Sequence, residues 1–393
     1  MTDQQDGSII RRESSSLSKA APLGNPITSR MAGDLLSRVK GDQIVQERIQ
    51  LGHYSFRPQD HRQVMKWAET FKIDPIDLLG ILEKGGYFEV ADGAILGLLW
   101  DLKELPTLPN DWEDGMLITS LSIIGKYKTE QRDRLCITAE DLPHLVDLEL
   151  KALWGLPIQI GRLPKLKWLM LRRCNLATLR LEDLPSLRGL FLYRTEYSSI
   201  EPSYLPDLLH LSHGSNKLTE IDLMHFPGLK SLDIEDSQLQ ELDLSSTSLL
   251  TELNCKNNQL QELDLRSTPL LTNLNCSGNQ LKKLYLSPTP LLTELDCGNN
   301  QLQGLDLKPI SSLTSLVCRA NQIKELDISQ APQCDCPKNE HDLVDPPYFS
   351  CEDNPLEKII LTENQYLRLR DRIPHNATVE VVSGAIMPQA WAP

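Results

Sequence analysis

Residues 250–270 read LTELNCKNNQLQELDLRSTPL, and two segments with nearly the same pattern follow, LTNLNCSGNQLKKLYLSPTPL at 271–291 and LTELDCGNNQLQGLDLKPISS at 292–312. With Leu250 as position 1, consecutive units of 21 residues align without a gap. They begin at Leu145, Leu166, Leu187, Leu208, Leu229, Leu250, Leu271, Leu292 and Leu313. A further unit restarts at Phe349, after an insertion at about residues 332–346. A fixed period of this length predicts a solenoid in which each unit forms one coil.

The shared pattern is L-x-x-L-x-[L/C]-x-x-N-x-L-x-x-L-D-L, and it contains apolar residues two positions apart, the period of a β-strand. One such strand is too short to bury its own apolar side, but stacked copies form a parallel sheet with about 4.8 Å between neighbours. The second half of each unit then carries the chain back across the core. Buried leucines supply the stability, at roughly 1.5–3 kcal/mol each.

In its period and consensus, the segment from about Ile118 to Leu361 resembles the leucine-rich repeat of the short bacterial type. The resemblance implies that the parallel sheet lines the concave side of an arc. We therefore predict an α/β solenoid fold, a leucine-rich-repeat arc with a parallel β-sheet on the concave face, preceded by a small α-helical domain.

Cysteine recurs at position 6 of the later units, which raises three alternatives: a ladder of metal ligands, a set of disulfides, or core packing. The cysteines are Cys255, Cys276, Cys297, Cys318 and Cys351. Earlier units have Leu150, Leu171, Leu192, His213 and Ile234 at this position. Because cysteine replaces mainly aliphatic residues there, the pattern favours a buried ladder of free thiols.

Asparagine recurs at position 9, where each coil bends away from its strand. The residues are Asn216, Asn258, Asn279, Asn300, Asn321 and Asn354. A side-chain amide can donate to the backbone and accept from it. We therefore predict a buried asparagine ladder that satisfies backbone groups at the bends.

Composition and helix signals divide the chain into four segments. Residues 1–28 are polar and Ser-rich and are predicted to be disordered, residues 29–112 to form an α-helical capping domain, 113–361 the repeats, and 362–393 a C-terminal cap. In the capping domain, helices are predicted over 29–49, over 57–73, after an N-cap at Asp74, and over DGAILGLLWDL at 92–102. The C-terminal cap is predicted to contain a helix over 362–373 and a strand over 377–382.

The insertion contains three residues with zinc-binding chemistry, Cys334, Cys336 and His341, with Cys351 close behind. The C-x-C spacing is not the common one for zinc, and Cys351 belongs to the core ladder. The pattern favours a polar loop with two exposed thiols, with zinc or a disulfide as alternatives. We predict no metal site and no cofactor.

Charge and motifs limit the classes of function. The formal net charge of −14 argues against nucleic-acid binding, which requires a basic excess. The sequence has no run of about 18 apolar residues, so it predicts no membrane span. Phosphate-loop, nucleophile-elbow and zinc-protease motifs are absent from the sequence. We predict that the protein is not an enzyme, that the N-terminus is not a classical signal peptide, and that the protein is cytoplasmic or secreted as an effector by a specialised system.

The resemblance implies that positions 2, 3, 5, 7 and 8 of each unit line the concave face. Two adjacent units place basic and aromatic residues there, Lys167, Trp168, Arg172, Arg173, Arg188, Phe191, Tyr193 and Arg194. The unit at Leu229 places an acidic strip there, Asp233, Glu235 and Asp236. Because arginine and aromatic side chains dominate interface energetics, we predict that these residues bind a partner. The alternative is that they pack on the N-terminal domain or on one another.

These observations predict a non-enzymatic protein–protein interaction module that binds a protein with an acidic patch around an apolar centre. Two alternatives stay open. One is a translocated bacterial effector. The other is an enzyme or toxin activity in the N-terminal helical domain, with the repeats selecting the target.

Overall fold

A computed structural model describes residues 48–382 except 86, 106–111, 126–134, 154–156, 181–182, 202–203, 215–218, 332 and 335–348, with the backbone alone at 157, 175–180 and 196–201. The predicted disordered segment, nearly all of the predicted helix over 29–49, Asn216, Cys336 and His341 lie outside the described residues.

The elements are numbered in chain order. The strands are β1 (Ile49–Leu51), β2 (Tyr54–Phe56), β3 (Phe88–Ala91), β4 (Ala94–Asp101), β5 (Ser120–Ile124), β6 (Leu135–Ile137), β7 (Asp147–Lys151), β8 (Pro157–Ile160), β9 (Trp168–Arg172), β10 (Asn175–Arg180), β11 (Gly189–Tyr193), β12 (Glu196–Glu201), β13 (His210–Ser212), β14 (Ser231–Asp233), β15 (Glu252–Asn254), β16 (Asn273–Asn275), β17 (Glu294–Asp296), β18 (Ser315–Val317), β19 (Glu325–Asp327), β20 (Phe349–Ser350), β21 (Lys358–Thr362) and β22 (Thr378–Val382). The helices are α1 (Pro58–Phe71), α2 (Pro75–Lys84) and α3 (Glu363–Leu369), followed by a short 3-10 helix (Arg370–Arg372).

A thirteen-stranded main sheet runs through the described part of the chain, in the order β20-β18-β17-β16-β15-β14-β13-β11-β9-β7-β5-β4-β3. All neighbours pair in parallel except β3 and β4, which form an antiparallel hairpin. The predicted solenoid with its parallel sheet is confirmed. The sheet begins with the β3–β4 hairpin, and its parallel part begins at β4, before the predicted repeat boundary at residue 113.

The register keeps each repeat position in line across the sheet. From β13 to β18, the central leucines of successive strands are direct partners, and all are buried. They are Leu211, Leu232, Leu253, Leu274, Leu295 and Leu316. Each coil therefore buries its leucines against the coils on either side, which is why one unit alone would have no core.

The cysteines at position 6 form the predicted core ladder. Cys255, Cys276, Cys297, Cys318 and Cys351 are free thiols that are fully buried. Burial raises the pKa of the Cys255 thiol to about 12 and that of Cys276 well above its usual value. A thiol held in its protonated form is a poor nucleophile and a poor metal ligand, so these groups act as small apolar side chains.

The asparagine ladder is also confirmed over its described members. Asn279 Nδ2 donates to the carbonyls of Cys255 and Cys276 at 3.0 Å each, and its Oδ1 accepts from Leu260 N at 3.0 Å. Asn258, Asn300, Asn321 and Asn354 repeat this arrangement. Each amide therefore joins its own coil to the preceding one through buried hydrogen bonds.

Two smaller sheets lie across the core from the main sheet. Strands β6, β8, β10 and β12 form a four-stranded parallel sheet, and β19, β21 and β22 form a three-stranded one. Between them, the coils return through turns. The sequence analysis predicted β22 as the strand over 377–382 and otherwise only that the chain returns over the core, so the other strands on this side are a new finding.

The N-terminal region contains the two predicted helices α1 and α2. Helix α2 has Asp74 as its N-cap, whose carboxylate accepts from Ile76 N at 2.8 Å, with Pro75 at the first helical position. Helix α1 is joined to the main sheet by the buried carboxylate of Asp60, which accepts from Arg57 Nε at 2.6 Å and from Ile95 N at 2.9 Å. The Asp74 cap was predicted from the sequence, whereas the contacts of Asp60 were not.

The helix predicted over residues 92–102 is wrong, because Ala94–Asp101 is strand β4. Its apolar run is buried on both sides, and such a run has no periodicity that separates a strand from a buried helix. Asp92 and Gly93 have φ values of 48° and 73° and form the two-residue turn between β3 and β4. An Asp-Gly pair between apolar segments is a hairpin signal that the sequence analysis overlooked.

The predicted helix and strand of the C-terminal cap are confirmed as α3 and β22. Thr362 and Gln365 form a capping box at the start of α3. Gln365 is fully buried, and its Nε2 donates to the carbonyls of Ile328 and Ala331 at 2.9 Å each. The helix is therefore fixed to the last coil by hydrogen bonds as well as by apolar contacts.

Cys334 was predicted to be exposed in the insertion, and the structure contradicts this. Its side chain is fully buried in the main core, after a turn in which Cys334 N donates to Ala331 O at 3.0 Å. The sequence could not show this, because Cys334 lies outside the 21-residue register.

Candidate functional site

Trp168, Phe191 and His210 form an aromatic cluster on the solvent side of three successive strands. The ring centroids of Trp168 and Phe191 are 6.2 Å apart, with an angle of 22° between the ring planes. Those of Trp168 and His210 are 5.6 Å apart. Burial lowers the pKa of His210, so the imidazole is neutral at pH 7 and adds a flat, weakly polar surface to the cluster.

Gly189 makes this contact possible, because it lies between Trp168 and His210 in the register of β9, β11 and β13. A Cβ atom at Gly189 would lie 2.2 Å from Trp168 Cε3 and 2.8 Å from Phe191 Cε2. The missing side chain therefore lets the indole lie flat over β11 and reach the histidine. His210 and Gly189 were not among the predicted site residues. The sequence did contain a signal for this contact: position 3 of three successive units has a tryptophan, a glycine and a histidine.

Changing Gly189 to alanine is expected to displace the Trp168 ring, since no Cβ can be accommodated at 2.2 Å. We expect a red-shifted Trp168 emission and a loss of stability of roughly 1–2 kcal/mol. Because the chain has six tryptophans, the emission of Trp168 is measured as a difference spectrum. For the wild type and for Gly189→Ala alike, the spectrum of the same protein with Trp168→Phe added is subtracted. Gly304→Ala is the control, because a Cβ there meets nothing within 4 Å. An unchanged Trp168 spectrum in Gly189→Ala would contradict the packing.

The five predicted basic residues fall into two rows at opposite ends of β9 and β11. Lys167 and Arg188 immediately precede these strands and form the first row. Arg172, Arg173 and Arg194 lie at or just after the strand ends and form the second row. The four arginines are exposed, and none makes an ion pair with a described carboxylate. Lys151, at the end of β7, is exposed beside Arg172 in register and extends the second row.

Arg173 and Arg194 are held outward by a left-handed backbone at position 8, with φ values of 53° and 48°. Other coils have the same conformation there, at Ala152, Asp236, Asn257, Gly278, Asn299, Ala320 and Asp353. Glycine and asparagine adopt it most readily, so arginine at this position costs stability. Arg194 also stacks on Tyr193, with its Cζ 5.3 Å from the ring centroid.

The acidic strip is only partly exposed. Asp233 and Glu235 are 9% and 8% exposed, and Asn254 Nδ2 donates to both, at 3.0 Å and 3.2 Å. Burial, and secondly the charge of Glu235, raise the pKa of Asp233 to about 7. Asp236 is exposed and accepts from Asn257 Nδ2 at 2.8 Å. Of the three predicted residues, Asp236 alone presents its charge to solvent. Asp233 and Glu235 are buried next to each other, where their negative charges repel.

From β15 onwards, the solvent side of the main sheet has mainly small polar residues, with the exposed Arg319 after β18. Asn273, Asn275, Ser277 and Gly298 are half-buried or buried, and Glu252 and Glu294 are exposed. Among the described residues, the combination of exposed arginines and clustered aromatic rings occurs on β9 and β11, with His210 of β13 at its border.

Within the described ranges, no group of three or more His, Cys, Asp or Glu side chains could hold a metal ion. No helix in those ranges is long and apolar enough to span a membrane.

Neither a known family profile nor a curated protein matches the sequence. Solved structures do match. A leucine-rich repeat protein of Leptospira interrogans superposes with a TM-score of 0.50 and 21% identity, over 68% of this chain and 66% of that one. The functional domain of InlJ from Listeria monocytogenes, which includes a cysteine ladder, has a TM-score of 0.47 and 23% identity, over 67% and 54%. The chain thus spans about half to two thirds of these two proteins. At such identities the likeness concerns the fold alone, and the Leptospira protein, together with the 21-residue coils and the parallel sheet, shows that this chain has the leucine-rich-repeat fold.

Proposed function

We propose that the protein binds a protein partner, without catalysis, on the solvent side of β9, β11 and β13. The observation that supports this most is the arrangement of the arginines. Four exposed guanidinium groups, with no ion pair to a described carboxylate, surround a stacked aromatic cluster. Arginine and aromatic residues are the residue types that contribute most to binding energy at protein interfaces. A merely solvated surface has no need of stacked aromatic rings.

The partner presents carboxylates around an apolar centre, because these groups complement the arginines and the rings. The exposed carboxylates of Asp236 and Glu252 lie on the strands beyond β13. Like charges placed opposite each other cost free energy, so these two residues oppose binding in a shifted register. The basic rows, together with Asp236 and Glu252, thus fix the position of the partner on the sheet.

Reversing the four arginine charges is expected to abolish partner binding. The variant carries Arg172→Glu, Arg173→Glu, Arg188→Glu and Arg194→Glu. Loss of a central arginine at an interface typically costs about 2 kcal/mol, so the combined change is expected to weaken binding by more than about 100-fold. The measurement is affinity capture with full-length protein from bacterial and eukaryotic lysates, followed by mass spectrometry, with circular dichroism to confirm folding.

A control variant changes the same number of exposed basic residues outside the site. It carries Arg162→Glu, Lys282→Glu, Lys283→Glu and Lys308→Glu, all at exposed positions. A protein that both the wild type and the control retain, and the site variant loses, supports the proposal. Its source then separates a role inside the parent cell from that of an effector. If the site variant retains the same partners as the control, the proposed site is wrong.

A further inference from the structure

The two basic rows lie on opposite sides of the aromatic cluster, along the direction of the strands. Position 2 and position 7 of one strand are five residues apart, which corresponds to about 16 Å at 3.3 Å per residue. Lys167 and Arg172 occupy opposite ends of β9 in this way. Across the strands, by contrast, the arginines span only β9 and β11, which are about 4.8 Å apart. The positive surface therefore consists of two rows about 16 Å apart in the strand direction, and the exposed Lys151 and Lys230 continue the second and first rows along the axis of the solenoid.

Negative charge borders the aromatic cluster on both sides along the solenoid axis. On the N-terminal side, β7 presents the half-buried Glu149, whose Oε2 accepts from Ser122 Oγ at 3.0 Å. On the C-terminal side, Asp236 and Glu252 are exposed at β14 and β15. An acidic ligand that followed the solenoid axis across the aromatic cluster, between the two basic rows, would meet Glu149 in one direction and Glu252 in the other. An acidic ligand that lies parallel to the strands meets positive charge at both ends.

Building on the proposed function, we propose that the partner contributes an extended acidic segment that lies along β9 and β11. Acidic side chains at its two ends meet the two basic rows, and an apolar side chain between them packs on Trp168 and Phe191. An extended chain covers about 16 Å with five residues, whereas an α-helix needs about eleven. The two rows are separated by the three clustered rings, and the shorter, extended segment places one apolar side chain over them.

Labelled synthetic peptides test the proposal by fluorescence anisotropy at low ionic strength, where exposed charges are weakly screened. The first peptide is Glu-Glu-Ser-Leu-Ser-Glu-Glu, which places its acidic pairs five residues apart. The second has the same composition with all four glutamates together. The third separates the two acidic pairs by eleven residues of a helix-forming sequence. We expect the first peptide to bind at least tenfold more tightly than either of the others.

Charge exchange then tests both rows on the same peptides. One protein variant carries Lys167→Glu and Arg188→Glu, and a second carries Arg172→Glu and Arg194→Glu. Each is expected to bind the first peptide at least tenfold more weakly than the wild type. Lys-Lys-Ser-Leu-Ser-Glu-Glu or its reversed sequence is expected to restore the binding, because one basic end then faces the reversed row.

The outcomes separate this inference from the function it builds on. If the peptide with adjacent glutamates binds as tightly as the first, or if reversing the first row has no effect, the proposed direction of the segment is wrong. Tighter binding of the third peptide than of the first would indicate a helical segment instead of an extended one. The peptide results do not bear on whether the four-arginine variant loses its cellular partner. The proposed function is therefore tested separately, by the capture experiment.

Discussion

Replacing Asn300 by alanine is expected to lower the free energy of unfolding by about 3–5 kcal/mol. Its amide donates to the carbonyls of Cys276 and Cys297 at 3.0 Å and 3.1 Å, and its Oδ1 accepts from Leu281 N at 3.0 Å. Alanine would leave one N–H and two carbonyl groups without these partners. An unsatisfied buried polar group costs about 1–3 kcal/mol. Urea unfolding followed by circular dichroism measures the difference.

Asn299 provides a matched control because it is the adjacent asparagine and is exposed, with a φ of 52°. Asn299→Gly retains the left-handed backbone and is expected to change stability by less than about 0.5 kcal/mol. Asn300→Asp keeps the acceptor for Leu281 N but loses both donors and places a buried carboxylate against two carbonyl oxygens, so it is expected to cost at least as much as Asn300→Ala. A loss in Asn300→Ala no larger than that in Asn299→Gly would show that the ladder does not join the coils.

Repetition made the solenoid predictable, because the same environment recurs at the same position. Cysteine at position 6 could be interpreted as a core residue because other units have leucine there, and all five cysteines are buried. Asparagine at position 9 recurs where a coil bends, and its role follows from the chemistry of one amide. In both cases several copies of one position supplied the information that a single copy lacks.

Strand β4 and Cys334 were mispredicted because they lie outside the repeat. The segment Ala94–Asp101 occurs once, and its burial on both sides removes the alternation that identifies a strand. The remaining signal for a hairpin was the Asp92-Gly93 pair. It is recognised from the positive φ values that such a turn needs, and not from the hydrophobic pattern. The burial of Cys334 depends on where an irregular turn returns to the core, which no local pattern encodes.

The position of each site residue along its strand could be predicted, but its degree of exposure could not. Trp168 reaches His210 because the residue between them in register has no side chain, which is a relation between three coils. Asp233 and Glu235 are buried because Asn254 of the next coil bonds to both. Such contacts depend on which residues occupy neighbouring coils, and the outward positions vary most from coil to coil.

Replacing Asp233 by asparagine is expected to stabilise the protein by about 1–3 kcal/mol at pH 8. The folded-state pKa of this carboxyl is raised to about 7, first by burial and secondly by the charge of Glu235, from an ordinary value near 3.8. Between about pH 4 and pH 7 the folded protein therefore binds more protons than the unfolded chain. Stability from this group is present below pH 4 and is lost as the pH rises through 7. Three pKa units correspond to about 4 kcal/mol at most.

The asparagine side chain retains the hydrogen bonds of the carboxylate. Its oxygen can accept from Asn254 Nδ2 and Glu235 N, as Oδ1 of Asp233 does at 3.0 Å and 3.2 Å. Its amide can donate to Ser212 Oγ, which donates to Asp233 Oδ2 at 3.3 Å. The variant therefore removes the buried charge and leaves the packing unchanged.

The measurement is the difference in free energy of unfolding between Asp233→Asn and the wild type from pH 4 to pH 8. The difference is expected to grow with pH, because only the wild type has this carboxyl. Burial lowers the pKa of His213 to about 4, which makes stability fall as pH falls from about 6.5 to 4, but this effect is common to both proteins and cancels. The exposed Asp236, changed to asparagine, is the control and should alter stability by less than about 0.5 kcal/mol. A difference that is flat from pH 4 to pH 8 would mean that Asp233 is ionised in the folded protein throughout this range, and that Asn254 alone offsets the repulsion from Glu235.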